Sequence, residues 1–418
     1  MKKVIRKIFA SKKKYSLSQN LTLTSTLNNV VIEKDKISSS YTLSTIGKKL
    51  PDNKMLCSYL VGGRYFVYTE DNLIWECKDN YAIPIGEVNS RPTIISFMYQ
   101  GEEKILVANN DEDAILVSSN GYRRHSFFSV DKMILHAGRL FSTLNNEISF
   151  TTLYDFDDAE INFTPDGTIV VPKKYGNIVY LSVLDGKLYV FTEKAVFYIL
   201  CDGESIDFKL KTLENVCAEF IEGMISKVND RFMFIEKGRL YQLYNGTISS
   251  VKTLLDNGFY EVCGESANFN GKYLLPVVGN DGKKGIFLYD TFDKTQAVIE
   301  CNDAIICDGG FVFEQGKVEV AKLVDGNHIV GVEKSWKTDK VDLGSAKDKI
   351  INKIYLCSKG VCLLRVSGKF GQTTFNVEAG KNIFVTNLPS SEYEFMITTD
   401  SLDFGIRDLQ VEFREMEK

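Results

Sequence analysis

Asp185-Gly186-Lys187-Leu188-Tyr189-Val190-Phe191, followed by Glu193-Lys194 and then Val196-Phe197-Tyr198, is the stretch on which the fold turns. Aromatic and aliphatic residues run without interruption on both sides of a short polar turn, and an Asp-Gly pair precedes them. This is the signature of a β-hairpin entered from a tight turn. The same phrase returns along the chain. It reads Gly63-Arg64-Tyr65-Phe66-Val67-Tyr68 with Leu73-Ile74-Trp75 after the turn, and Gly138-Arg139-Leu140-Phe141 before Ile148. It reads Asp230-Arg231-Phe232-Met233-Phe234 with Lys237-Gly238 before Leu240-Tyr241, then Gly271-Lys272-Tyr273-Leu274-Leu275, then Gly310-Phe311-Val312-Phe313. A weaker copy is Lys104-Ile105-Leu106-Val107 with Ala114-Ile115-Leu116-Val117.

The copies start near residues 63, 103, 138, 186, 230, 271 and 310, at intervals of 35 to 48. About forty residues supply four short strands, the content of one β-propeller blade. A lone hairpin cannot bury its own face, and blades stacked around an axis leave no long edge open. The expectation is an all-β chain whose main body, residues 51–335, is a β-propeller. Seven starts favour seven blades; six with one decorated blade also fits, and a large sandwich made of meanders shares the local pattern. After Gly316 the rhythm stops. Apolar runs at 351–356, 361–366, 374–377, 382–385, 395–398 and 409–413 predict a small β-sandwich over 336–418. Residues 1–50 match neither unit and read as a basic N-terminal arm, with Ser/Thr/Asn-rich short β segments between Leu17 and Ile46.

The composition agrees with this reading. There are 27 Phe and 20 Tyr, only 14 Ala and 7 Pro, with 44% apolar and 25% charged residues. Aromatic and β-branched residues favour pleated surfaces, and Ala, the best helix former, is scarce. Coiled-coil, collagen-like and polytopic membrane classes are excluded. No run approaches the roughly 18–20 apolar residues of a membrane span.

Charge is unevenly placed. Lys2, Lys3, Arg6, Lys7, Lys12, Lys13 and Lys14 stand in the first fourteen residues without an acid, while the other 404 carry 43 bases and 55 acids. The acidic body argues against sequence-reading nucleic-acid binding. The seven bases are the candidate contacts to a phosphate backbone, an acidic partner subunit or a membrane surface; a solvated chain end is the plain alternative. Arg6 and Lys7 interrupt what would be the apolar core of a secretory signal. Nine cysteines at irregular spacing, with no CxxC, fit reduced thiols better than a disulfide frame.

Catalytic patterns are thin. His125, His136 and His328 lack partners at ligand spacing. Asp111-Glu112-Asp113 and Asp155, Asp157 and Asp158 offer oxygen ligands for a hard cation, but turn chemistry accounts for both. No cofactor is called for.

Two stretches together carry a resemblance. One is Leu153-Tyr154-Asp155-Phe156-Asp157-Asp158, with Gly167-Thr168-Ile169, Asn177-Ile178-Val179-Tyr180-Leu181 and the hairpin from Gly186. The other runs from Trp336-Lys337-Thr338-Asp339 through Asp342-Leu343-Gly344 and Phe375-Asn376-Val377 to Asn387-Leu388-Pro389. Both resemble β-propeller virion proteins of tailed bacteriophages, the packaged-DNA stabilisation and tail-nozzle proteins. The resemblance implies a non-enzymatic virion subunit of the tail or head–tail connector, made in the host cytoplasm. It implies a homo-oligomeric ring, connector and tail proteins as partners, and DNA passing a lumen without sequence-specific contact. It supplies no catalytic residues, and the lysine-rich arm has no counterpart in it. A propeller glycosidase or carbohydrate-binding protein, and a peptide-binding propeller adaptor, are the alternatives from other classes.

Overall fold

The computed structural model describes residues 13–17, 24–33, 36–99, 101–111, 113–125, 129–151, 165–201, 204–213, 218–325, 333–402 and 404–416. Strands dominate, and all the strand pairs are antiparallel. Blades 1 to 5 are separate four-stranded sheets within residues 55–87, 93–125, 132–170, 178–212 and 225–251. Blade 6 lies within 260–300, and blade 7 combines 304–325 with Tyr41–Lys49.

The seven repeat starts mark one structural position, the turn from the first to the second strand of each blade. In blade 4 Asp185-Gly186 joins Ile178–Leu184 to Lys187–Thr192. Both turn residues have positive φ, 50° and 72°. Two-residue hairpin turns of this hand match the twist of the strands they join, and they favour Asp, Asn and Gly. Asn270-Gly271 repeats the arrangement in blade 6.

Blades bury both faces, and the period of two along each strand serves two neighbours at once. Ile105, Val107, Ile115 and Val117 of blade 2 meet Phe66 and Ile74 of blade 1. Leu106 and Leu116, the alternate residues, meet Met133 and Leu140 of blade 3. An apolar cluster fills each junction around the ring. The last joins Met55, Val67 and Cys77 of blade 1 to Phe311, Phe313 and Val320 of blade 7.

The short β segments expected before residue 50 are present, and those described between Thr24 and Lys49 are built into the propeller and the sandwich rather than into a separate arm. Tyr41–Lys49 pairs with Glu319–Asp325 as the outermost strand of blade 7, and Lys49 Nζ lies 2.5 Å from Glu319 Oε1. The ring is thus closed by joining the two ends of the propeller. An outermost strand faces solvent along one side, so Tyr41-Thr42-Leu43-Ser44-Thr45-Ile46 lacks the apolar density that marks the inner strands.

Upstream strands stitch the two units together. Val30–Glu33 adds to the outer strand of blade 6, Gln296–Glu300, and Lys36–Ser39 links it to Gly405–Glu415. That strand pairs with Lys349–Ser358, and Lys349–Ser358 with Gly380–Ser390. Blade 6 and one sheet of the C-terminal sandwich are therefore one sheet of eleven strands. The facing sheet has five strands, Thr24–Asn28 among them. Trp336, Leu364, Phe395 and Ile397 from it meet Ile351, Ile354, Val411 and Phe413, in a core continuous with that between blades 5 and 6.

Candidate interaction surfaces

The arm's bases divide into two sets. Lys13–Ser16 is a strand paired with Gln410–Phe413. Lys13 Nζ donates to Glu415 at 2.6 Å, and Lys14 lies over the Tyr355 ring at 5.1 Å. The hydrogen bond from Lys13 holds the Glu415 carboxyl below its ordinary pKa. Both side chains thus engage the chain's own sandwich. Lys2, Lys3, Arg6, Lys7 and Lys12 lie outside the described residues.

The axial channel presents two different mouths. The first strands of blades 4 to 7 line a polar cup of about 520 Å³ at one of them, with Tyr180, Lys227, Asn268 and Asp308 among its walls. The Asn268 N–H donates to the Asp308 carboxylate at 2.7 Å. Desolvation raises the Asp308 pKa, against the pull of that bond. Tyr180 is pushed up to about 12 by burial, and Lys227 Nζ donates to the Val183 carbonyl at 2.7 Å.

Two ion pairs stand at the other mouth. Arg91, between blades 1 and 2, grips Glu265, which leads into the inner strand of blade 6, in a two-pronged contact with one bond at 2.6 Å. Lys132 of blade 3 reaches Glu222, ahead of blade 5, at 2.6 Å. Arg91 and Glu265 belong to blades that are not ring neighbours, so that pair reaches across the opening. Beneath them Tyr59 donates to the Pro92 carbonyl at 2.6 Å and lies 3.0 Å from the Cys57 sulfur, whose pKa burial pushes up to about 11.

The remaining candidates scatter. His136 Nε2 sits 3.2 Å from the Gly186 carbonyl, and His125 ends the outer strand of blade 2. The Asp111 N–H donates to Asn109 Oδ1 within its own turn. Glu112, Asp155, Asp157, Asp158 and His328 lie outside the described residues. Among the described residues no group of three or more His, Cys, Asp or Glu stands close enough to hold a metal ion. The eight described cysteines are free thiols, most of them buried.

A groove of about 560 Å³ opens on the ion-pair face, between blades 5 and 6. Ile221, Met224, Ile235, Leu255, Tyr260 and Val262 give it an apolar floor and walls, with Lys237 and Arg239 at the rim. The sequence reading missed it. Its residues come from four separate loops and strand ends, and each reads as ordinary blade core when taken alone.

No family model matches the chain, and no curated protein matches it. Among solved structures it is similar to PorZ, a surface component of the type-IX secretion system of Porphyromonas gingivalis. Identity there is 9% and the TM-score 0.41, over 80% of this chain. The chain spans 46% of the length of PorZ. It is similar to BamB from Moraxella catarrhalis, with 11% identity and a TM-score of 0.40 over 77% of this chain and 99% of BamB. A luciferin-regenerating enzyme is matched at 13% identity and a TM-score of 0.34, over 55% of this chain and 90% of the enzyme. None of these three is a virion protein.

Proposed function

We propose that the chain is a structural protein of a tailed-bacteriophage virion, a ring-forming subunit of the tail, head–tail connector or nozzle. The observation that carries this reading is the continuous eleven-stranded sheet that runs from blade 6 into the sandwich. A hinged pair of domains is joined by a linker. Here strands from upstream of the propeller are built into both units, so force applied to one is passed to the other through main-chain hydrogen bonds. Such a body suits permanent packing against copies of itself and against neighbouring virion proteins. The acidic body suits a wall past which DNA slides, since like charge discourages phosphate contact. DNA would pass the lumen of the subunit ring, because the Arg91–Glu265 pair spans the propeller's own channel.

The polar cup favours one competing reading, a carbohydrate-binding propeller, since its hydroxyls, amide and carboxyl match the donors and acceptors of a sugar. Electron microscopy of the purified protein, alone and mixed with the proteins encoded by its neighbouring genes, separates the two. Closed rings of defined copy number are expected. Particles that stay monomeric with every neighbour, combined with millimolar or tighter sugar binding, would overturn the virion reading.

A further inference from the structure

The C-terminal sandwich is open along one flank. Gly380–Ser390 ends the eleven-stranded sheet and Gly371–Val377 ends the five-stranded one, each pairing with a single strand among those described. The two edges lie one above the other. Phe375 and Phe384 stack across the gap between them, ring centroids 4.6 Å apart, and both are half-buried. On the outward face of the longer edge Ile383 is 61% exposed and Val385 70%. Unpaired edges are ordinarily kept short or defended by charge and proline. The outer strands of blades 1 to 5 follow that rule. They run three to six residues and hold Pro84, Arg123, Arg124 and Lys211 among them. The open flank departs from it. Its edges are eleven and seven residues long, with Pro389 near one end and Lys381 as the one charged residue in either.

We infer that this flank is an interface between two copies of the chain, in which Gly380–Ser390 pairs antiparallel with itself about a two-fold axis at Phe384. The edge's own sequence selects both the occupant and the register. Residues opposite one another across an antiparallel pair share a face, so the axis must sit level with a residue and not between two. Placed at Phe384, it sets Ile383 against Val385 of the partner subunit, and Val385 against Ile383 of the partner subunit. Lys381 then faces Asn387 of the partner subunit, whose amide oxygen accepts from the ammonium. Apolar meets apolar on the outer face, and the two lysines stay apart. Moved by one residue, the axis opposes Lys381 to a valine or Ile383 to an asparagine. On the inner face the two Phe384 rings meet at the axis, each beside its own Phe375. An edge of eleven residues is about 36 Å long, and two sheets about 10 Å apart make the flank about 20 Å tall. That is roughly 700 Å² on each chain, close to the roughly 800 Å² of a standard interface. The contact joins chains in pairs, and it rests on this edge and not on the virion reading.

Sedimentation velocity of the purified full chain, from about 1 to 100 µM, tests this. A species of twice 47.2 kDa is expected, or twice the mass of any ring that other surfaces form. The double variant Ile383→Lys with Val385→Lys sets two like-charge pairs across the axis. It should halve the mass and raise the dissociation constant about a hundredfold or more. Ile383→Glu with Val385→Glu should do the same. Both positions are exposed, and an equimolar mixture of the two double variants should regain the doubled mass, which also shows that both are folded. The inference is overturned by a parent chain that shows no doubling up to about 100 µM. It is overturned equally by variants that keep the parent's mass, or by variants with parent-like circular dichroism that stay apart when mixed. Assembly with the products of neighbouring genes is read separately by microscopy, so either proposal can fail without the other.

Discussion

Phe232→Ala probes the claim on which the propeller rests, that neighbouring blades share a core. Phe232 lies on the second strand of blade 5 and is fully buried. Its ring centroid is 5.0 Å from both Tyr189 and Phe191 of blade 4, and 6.3 Å from Tyr180. Truncation removes the ring from a site walled by strands hydrogen-bonded on both sides, which cannot collapse into the space. Phe-to-Ala changes in cores cost about 3–5 kcal/mol, and three aromatic partners place this one in the upper part of that range. Urea unfolding at 25 °C reads the loss as a lower midpoint at unchanged slope. Phe370→Ala, at a hairpin tip where the side chain is 66% exposed, is the control and should shift stability by less than about 0.5 kcal/mol. A Phe232→Ala loss below about 1 kcal/mol would mean that blades 4 and 5 do not pack through this face, and the ring order would be wrong.

Two further outcomes test closure and charge. Thr42 and Val324 are paired residues across the strands that close the ring. Cysteines placed at both should form a disulfide and stabilise the oxidised protein by about 3–5 kcal/mol, reversed by reductant, because the bridge closes a very long loop. A verified bridge with no change in unfolding temperature would show that the ring does not open on unfolding. Glu76 is buried, and burial raises its pKa. Arg64, bonded at 2.7 and 2.8 Å, and Lys78 outweigh this and bring it below 4.5. A carboxylate depressed in the fold adds stability above its unfolded value and loses it as pH falls through the folded one. Denaturation between pH 3 and 6 should therefore show a fall toward acid that Glu76→Gln flattens, and identical slopes would refute the assignment.

Much of the architecture was legible because propeller hairpins repeat one local solution. Asp185-Gly186 and Asn270-Gly271 announce their turns through the conformation they must adopt. The runs after them announce strands buried on both sides. That double burial also set the limit of the reading. Tyr189 looks like the inward residue of its strand by alternation, yet Leu188 and Val190 face blade 3 while Tyr189 and Phe191 face blade 5. Most residues of a middle blade strand pack against one neighbouring blade or the other, so pattern alone cannot assign a direction. The closing strand was hidden for the opposite reason. Thr42, Ser44 and Thr45 satisfy a partner 270 or more residues away through main-chain bonds, which leave no imprint on side-chain choice. The groove was hidden in the first way. Ile235 and Leu255 read as core because they are nearly core, and the groove opens only where four separate segments of the chain meet.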